Sequence, residues 1–347
     1  MGLARQRSDL AASGLTEEVI ATIQGARALS TRTLYDSRWR VFHKWCLEQS
    51  PGSDPFQAPI GEVLRFLQTR LDEGLTHSTI KVWLASISAC HLGYDGKRAS
   101  EHPLVKPFMR GVQRLRATPR PLFPSWDLAV VLDGLCKTPF EPLESADLRV
   151  LSLKTVLLLA LTTAKRVSDL EALSITSECL RFSDDGLTVW LKPNMKFVTK
   201  NLLVPLLPVE LKAFRPPDRR LHGLCPVRAL HLYLQKTRAG RASSQLFVSF
   251  GPGQTRSAVV RSSLSRWVVD AIKMAYGSAG VPVPEGLRAH STRAVAASWA
   301  VTRGVPVQEV CMAANWSSPS TFMTFYNLDV SMSTVAHSVL GVANATH

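Results

Sequence analysis

Three segments of this sequence hold residue types that can handle a phosphodiester. Ala164-Lys165-Arg166-Val167-Ser168-Asp169-Leu170 sets an arginine near an acid just after a long apolar run. His290-Ser291-Thr292-Arg293 spaces two nitrogen donors three residues apart, and the run from Trp316 to Tyr326 ends in a tyrosine. On a helix, His290 and Arg293 face the same way, a pairing suited to a non-bridging phosphate oxygen. Arg166, at the end of a buried helix, can be held rigidly. A phosphodiester under attack spreads negative charge over its equatorial oxygens, and preorganised donors there supply much of the catalysis. A phenol is mostly protonated at neutral pH, its ordinary pKa being about 10, so a tyrosine nucleophile needs cations and a base beside it. Each feature also has an ordinary reading. A lone HxxR is a surface or capping pair, Arg166 with Asp169 is a structural ion pair, and a tyrosine near Phe322 and Phe325 is core.

The elements that must position these residues read as mainly helical. Ser30 or Thr31 can cap a helix whose apolar stripe is Tyr35, Trp39, Phe42 and Cys46. A second begins near Pro59 with Ile60, Val63, Leu64, Leu67 and Leu71, and Gly74 stops it. A third, capped near Thr76 or Ser78, carries Ile80, Trp83, Leu84, Ile87 and Cys90, and a fourth runs from about Pro103 to Arg116. On that fourth helix Lys106, Arg110 and Arg114 fall four apart on one face; with Lys97, Arg98, Arg116 and Arg120 they form the densest basic stretch. Glu101 is its one nearby acid, which favours phosphate contact over a merely solvated face.

Three prolines within 117–125 exclude a helix and mark the boundary between domains. Ser125 can cap the next helix, and an almost wholly apolar helix follows from about Ser145 to Thr163, apolar all round and therefore central. Leu187–Leu191 and Leu202–Leu206 read as paired strands and Leu246–Phe250 as a third. Helical patterns return over 225–236, 263–276, 290–303 and 306–315. The expected organisation is an N-terminal tail (1–27), a helical domain (28–116), a proline-rich linker (117–125) and a mixed α/β domain with a small three-stranded antiparallel sheet (126–347).

Composition narrows the classes of function. The 347 residues are 46% hydrophobic and 20% charged, a globular balance. Forty-one Lys and Arg against 27 Asp and Glu leave a net charge of +14, which favours a polyanionic partner, nucleic acid before membrane. The most apolar run is too short to span a bilayer and is broken by Arg149 and Lys154. The basic N-terminus lacks the apolar stretch of a signal peptide, and Gln6 stands where an acylation motif at Gly2 needs Ser or Thr. Six scattered cysteines form no CxxC pair, so neither zinc nor a disulfide framework is signalled and they are expected to be reduced core residues. Asp184-Asp185-Gly186 reads as a turn and Gly251-Pro252-Gly253 lacks the GK[ST] of a phosphate loop. No cofactor is expected.

Taken in order, these motifs resemble the tyrosine recombinase (phage integrase) family, over about residues 28–335. More narrowly they resemble the recombinase of DIRS-type retrotransposons, through Ser30-Thr31-Arg32-Thr33-Leu34-Tyr35, Ala164-Lys165-Arg166-Val167, Leu224-Cys225-Pro226-Val227-Arg228-Ala229-Leu230, Arg288-Ala289-His290-Ser291-Thr292-Arg293 and Ser320 to Tyr326. The resemblance implies a SAM-like helical core-binding domain and a catalytic domain that together encircle duplex DNA, with a dimer to tetramer assembling on it. It implies Arg166 and Arg293 as phosphate-binding arginines, Asp169 as an orienting partner and His290 as activator of the nucleophile. Trp316 would be a phosphate donor and Tyr326 the nucleophile. The family's general acid lies in a β-hairpin, which here holds Lys192, Lys196 and Lys200; Lys200 is favoured from its place in Phe197-Val198-Thr199-Lys200. Three departures stand out: Asn315 where Gly is common, Ala164 where Gly is common, and a Trp-to-Tyr spacing of ten, one longer than in many bacterial relatives.

The expectation is a metal-free DNA recombinase or integrase that acts through a 3′-phosphotyrosine intermediate, nuclear in a eukaryote and intracellular otherwise. Lys106, Arg110, Arg114 and Arg116 are the expected DNA contacts. The competing expectations are a domesticated DNA-binding protein that no longer cuts, a type IB topoisomerase-like nicking-closing enzyme, and a helical interaction module.

Overall fold

The computed structural model describes residues 2–116, 122–199, 207–214, 219–251 and 255–330. The chain divides into two compact units, Met1–Arg120 and Pro121–His347. The chain is mostly helical, with one small antiparallel sheet.

The first unit holds α1 (Gly2–Ala12), α2 (Glu17–Gly25), α3 (Leu29–Gln49), α4 (Ile60–Asp72), α5 (His77–Cys90) and α6 (Val105–Leu115). Its core forms where the stripes of α3, α4 and α5 meet: Trp39, Phe42 and Cys46 against Val63, Phe66 and Leu67, with Ile80 and Ile87 closing it. Phe42 and Phe66 meet edge to face at 5.1 Å, the arrangement that ring quadrupoles favour. Thr76 caps α5 through its side chain, as its position indicates. Ser30 and Thr31 do not cap α3; they lie in its first turn, Ala28 holds the cap position, and burial of the Trp39 face outweighs the missing cap. Two helices form within the segment expected to be a tail. Gly2 of α1 rests on Trp39 and Cys90 so closely that a Cβ would overlap the indole, which draws α1 into the core.

The second unit is arranged around α8 (Leu148–Thr163), buried along almost its whole length. Asp147, not Ser145, caps it, accepting from the Val150 amide at 2.7 Å. Packed against α8 are α9 (Val167–Glu171), α11 (Pro226–Thr237), α12 (Arg261–Ala279) and α13 (Ser291–Thr302), and α7 (Leu128–Gly134) packs on α12; α10 (Arg219–Gly223), α14 (Val307–Ala313) and α15 (Pro319–Phe325) complete the unit. The helix near Ser125 is α7, and Asp127 caps it through the Ala129 amide.

The sheet runs β1 (Leu180–Phe182), β2 (Thr188–Leu191) and β3 (Val209–Lys212) in that order. Val189 faces Phe182 on one side and Leu211 on the other. Of the other expected strands, Leu202–Leu206 lies outside the described residues, and Leu246–Phe250 is no strand of this sheet. Leu246 donates to the Leu173 carbonyl, Val248 donates to the Tyr233 hydroxyl, and Val248 forms one isolated antiparallel bridge with Ala258. Leu246, Phe247 and Val248 are buried core residues, so burial rather than a ladder accounts for the apolar run. All six cysteines are free. Among the described residues no helix is long and apolar enough to cross a membrane.

Candidate active site

The end of α8 begins the site. Ala164 closes the helix in the left-handed region, φ 47° and ψ 25°, and so turns the chain sharply into α9. Arg166 sits at the N-cap of α9, where its amide donates to Asp169 Oδ2 at 3.1 Å. Ser168 Oγ donates to the other carboxylate oxygen at 3.3 Å. Asp169 thus orients Arg166 through the main chain. Lys165, beside them, is buried. Burial lowers its pKa, Asp169 opposes the shift, and Arg293 and Arg166 add to it.

Arg293, one turn into α13, is 1% exposed. One of its terminal nitrogens donates to the Ala314 carbonyl, which ties α13 to the turn before Trp316. The guanidinium carbon lies 4.7 Å from the Trp316 ring centroid and 5.3 Å from that of Tyr326, within cation–π range. Trp316 and Tyr326 stack at 4.5 Å with 30° between planes. The Tyr326 hydroxyl is 3.4 Å from His290 Nε2, and His290 itself is exposed. Burial and then the neighbouring Arg166 push the Arg293 pKa down to about 10, against the opposing pull of Tyr326 and Asp169. It keeps its charge at neutral pH.

The remaining N–H groups define the chemistry. Arg293 Nε and Nη1, Arg166 Nη1 and Trp316 Nε1 are buried with no hydrogen-bond partner among the described residues. An unpaired buried donor is costly, the more so on a charged group. These are oriented cationic and indole donors beside a hydroxyl, an arrangement that fits a tetrahedral oxyanion better than any protein group nearby.

Tyr326 is fixed chiefly through its main chain. It follows the short helix α15, its carbonyl accepts from Ser298 Oγ at 3.0 Å, and the Leu328 amide donates to that same hydroxyl at 2.8 Å. The structure therefore gathers His290, Arg293, Trp316 and Tyr326 in direct contact and sets Arg166 close enough to act on Arg293 electrostatically. Lys200 lies outside the described residues. Two neighbours were missed by the sequence reading. Lys165 was passed over because an isolated lysine carries no pattern, and Asn315, which donates to Thr199 Oγ1 at 3.2 Å, was noted only as a departure from Gly.

In the first unit, a cleft of about 530 Å³ is lined by Arg27, His77, Lys81, Arg98, Lys106 and Arg110, with Tyr35, Ser88, Ser100, Gln113 and apolar residues between them and no carboxylate. Arg114 and Arg116 do not line it. Arg116 instead donates to the Leu71 carbonyl at the end of α4, at 3.4 Å.

A protein-family model described as the phage integrase family matches residues 143–332. No curated protein matches the chain. Among solved structures, the chain is similar to XerH site-specific recombinase bound to a palindromic difH substrate in a post-cleavage complex. The identity is 15%, coverage is 91% of this chain and 79% of that one, and the TM-score is 0.56. It is also similar to the Tn1549 transposon integrase in complex with circular intermediate DNA (14% identity, 92% and 95% coverage, TM-score 0.56). A lambda integrase dimer bound to a COC′ core site resembles it over 96% of both chains, at 13% identity and a TM-score of 0.51. At these identities the likeness is one of fold.

Proposed function

This chain belongs to the phage integrase family, and from that premise we propose that it is a DNA strand transferase working through a covalent tyrosine intermediate. The observation that carries the reading is the hydroxyl of Tyr326, 3.4 Å from His290 Nε2 and beside the unpartnered donors of Arg293 and Trp316. The Tyr326 oxygen attacks the scissile phosphorus while His290 takes or relays its proton. Arg166, Arg293 and the Trp316 indole hold the non-bridging oxygens as charge accumulates on them. The bond to the 5′ oxygen breaks, a 3′-phosphotyrosine forms, and the leaving oxygen takes a proton from a lysine of the 192–200 segment, with Lys200 favoured. Attack by a 5′ hydroxyl reverses the steps and rejoins the strand. The arginines supply the positive charge that divalent ions supply elsewhere, so the reaction proceeds without metal.

The cleft lined by Lys106 and Arg110 takes the DNA backbone. Its basic lining and the +14 net charge support this. Binding should weaken with salt by roughly 0.9 log unit per log unit of salt for each phosphate neutralised. Charge reversal at Lys106 and Arg110 should weaken binding to all sequences alike. Two such protomers or four act on paired sites, in the nucleus if the host is eukaryotic and elsewhere inside the cell if it is not. The resemblance of the motifs around Arg166, Arg228, His290 and Tyr326 supports a place in the DIRS-type retrotransposon branch.

The test uses a nicked duplex that loses a short 5′-hydroxyl fragment after cleavage, which blocks the reverse step. Wild type should accumulate a protein–DNA adduct stable to SDS and formed in EDTA, with Tyr326 on the 3′ end. Tyr326→Phe should bind the same DNA and form none. An adduct that persists in Tyr326→Phe moves the nucleophile elsewhere. No adduct on any duplex bound with salt dependence points to a DNA-binding protein that no longer cuts.

A further inference from the structure

Asn315 stands in the left-handed region, at φ +54°, which asparagine enters more readily than most residues with a side chain and glycine more readily still. It is 1% exposed, and its contacts show what the side chain adds. Its amide nitrogen donates to Thr199 Oγ1 at 3.2 Å, joining positions 116 residues apart, and Thr199 is itself buried. Its main-chain N–H donates to Met312 at 3.1 Å, so the residue is locked into the turn that ends α14. The next residue, Trp316, stacks on Tyr326 and lies under Arg293.

Thr199 ends the described part of the segment that leaves β2. That segment is strung between two walls of the site. Near its start the Asn194 amide donates to the Ala172 carbonyl at 2.8 Å, immediately after α9, the helix that Arg166 opens. At its end Thr199 meets Asn315, next to Trp316. Lys192 and Lys196 lie within the segment, and Lys200 follows Thr199 directly in sequence.

We propose that Asn315 is a positioning residue for protonation of the leaving group, holding the 192–199 segment at a fixed place relative to the Trp316–Tyr326 stack. The inference rests on the strand-transfer reading above. In that reading the lysine donor must meet the departing 5′ oxygen, and misplacing such a group by about 1 Å costs on the order of 100-fold. Asn315 is placed to act through Thr199 rather than on a reacting atom.

The backbone makes a variant available: Asn315→Gly suits φ +54° better than asparagine and removes the side-chain tie to Thr199. Adduct formation is measured on two nicked duplexes, one ordinary and one carrying sulfur in place of the bridging 5′ oxygen. A thiolate leaves without a proton donor, so the sulfur substrate is blind to the step proposed. Asn315→Gly should slow adduct formation on the oxygen substrate by about 10-fold or more, a fraction of what a general acid contributes. On the sulfur substrate it should match wild type. Thr199→Val should reproduce the selective defect and Thr199→Ser should not. Equal loss on both substrates, or no loss on either, overturns the proposal. Failure of wild type to form an adduct with either duplex refutes the strand-transfer reading and this inference with it, whereas a wild-type adduct with an indifferent Asn315→Gly refutes the inference alone.

Discussion

Two arginines of the second unit, Arg228 and Arg293, live in opposite electrostatic company. Arg228 bonds to Glu141 at 3.0 Å and to Glu144 at 2.9 Å, and Lys154, buried within α8, shares Glu141 and also donates to the Leu135 carbonyl at 2.8 Å. Two cations there meet two carboxylates. Burial opposes charge on all three groups: the hydrogen bonds win on Glu141, whose pKa is lowered, and on Arg228, whose pKa is raised, whereas burial wins on Lys154 and lowers its pKa despite Glu141. Around Arg293 the balance is reversed: Lys165, Arg166 and Arg293 gather near one carboxylate, Asp169, and the pKa values of Lys165 and Arg293 both fall. A cluster that neutralises itself holds helices together. One left with excess charge and unpartnered donors is built for something that arrives with the opposite charge. Burial alone does not separate the two cases.

The difference can be broken from either side. Arg293→Ala, and separately Arg166→Ala, should slow adduct formation by about 100- to 1,000-fold, as loss of a transition-state donor does. The melting temperature should fall less than it does on loss of Glu141: Arg166→Ala leaves Lys165 and Arg293 beside Asp169, and Arg293→Ala gives up one bond, to the Ala314 carbonyl. A comparable fall in melting temperature would place Arg293 with Arg228 as structural. Glu141→Gln should do the reverse. It strands Lys154 and weakens the hold on Arg228, costing about 3 kcal/mol of stability in denaturant titration, while adduct formation persists below the melting temperature.

Acid sharpens the same contrast. The Glu141 pKa is depressed from an ordinary 4.5. Its stabilising effect is therefore complete above that value and is lost as pH falls through the lower, native one. The stability gap between wild type and Glu141→Gln should be full near neutrality and close as pH drops below 4.5. A gap independent of acid pH would show that the carboxylate charge is not what matters. The smallest effect concerns Lys165. Replacing a buried cation in an already positive cluster by Met should raise stability by about 1 kcal/mol, read as a higher melting temperature. A loss would reveal a partner for its ammonium group.

Much of this was legible along the chain. Thr76 announces α5, and the unbroken apolarity after Asp147 announces a central α8, although Ser145 drew its start three residues early. The small sheet was anticipated, yet two of its strands were not. Leu180-Arg181-Phe182 is too short for a pattern to rise above chance. The alternation in Val209-Glu210-Leu211-Lys212 was available and was overshadowed by the stronger apolar runs at 202–206 and 246–250. In the site, the HxxR spacing pairs His290 with Arg293 on one helix face, whereas Arg166, Trp316 and Tyr326 join them in the sequence through the resemblance of the ordered motifs to a known family. Thr199 and Asn315 are invisible because neither type is distinctive, and their relation exists only across 116 residues of intervening chain.

The helix that leads into Tyr326 differs in kind from the one that ends just before Arg166. α15 is seven residues long and Phe322 is its buried residue, whereas α8 has 16 residues, nearly all buried. A seven-residue helix has little intrinsic stability, and segments with few buried contacts open locally at free energies far below that of global unfolding. Backbone amides of α15 should therefore exchange with solvent through small excursions, while those of α8 wait for the whole unit to come apart. On the strand-transfer reading proposed above, opening of α15 would withdraw the Tyr326 hydroxyl while Arg166 and Arg293 stay in place, so the lifetime of one short helix would set how often that hydroxyl is in position to attack.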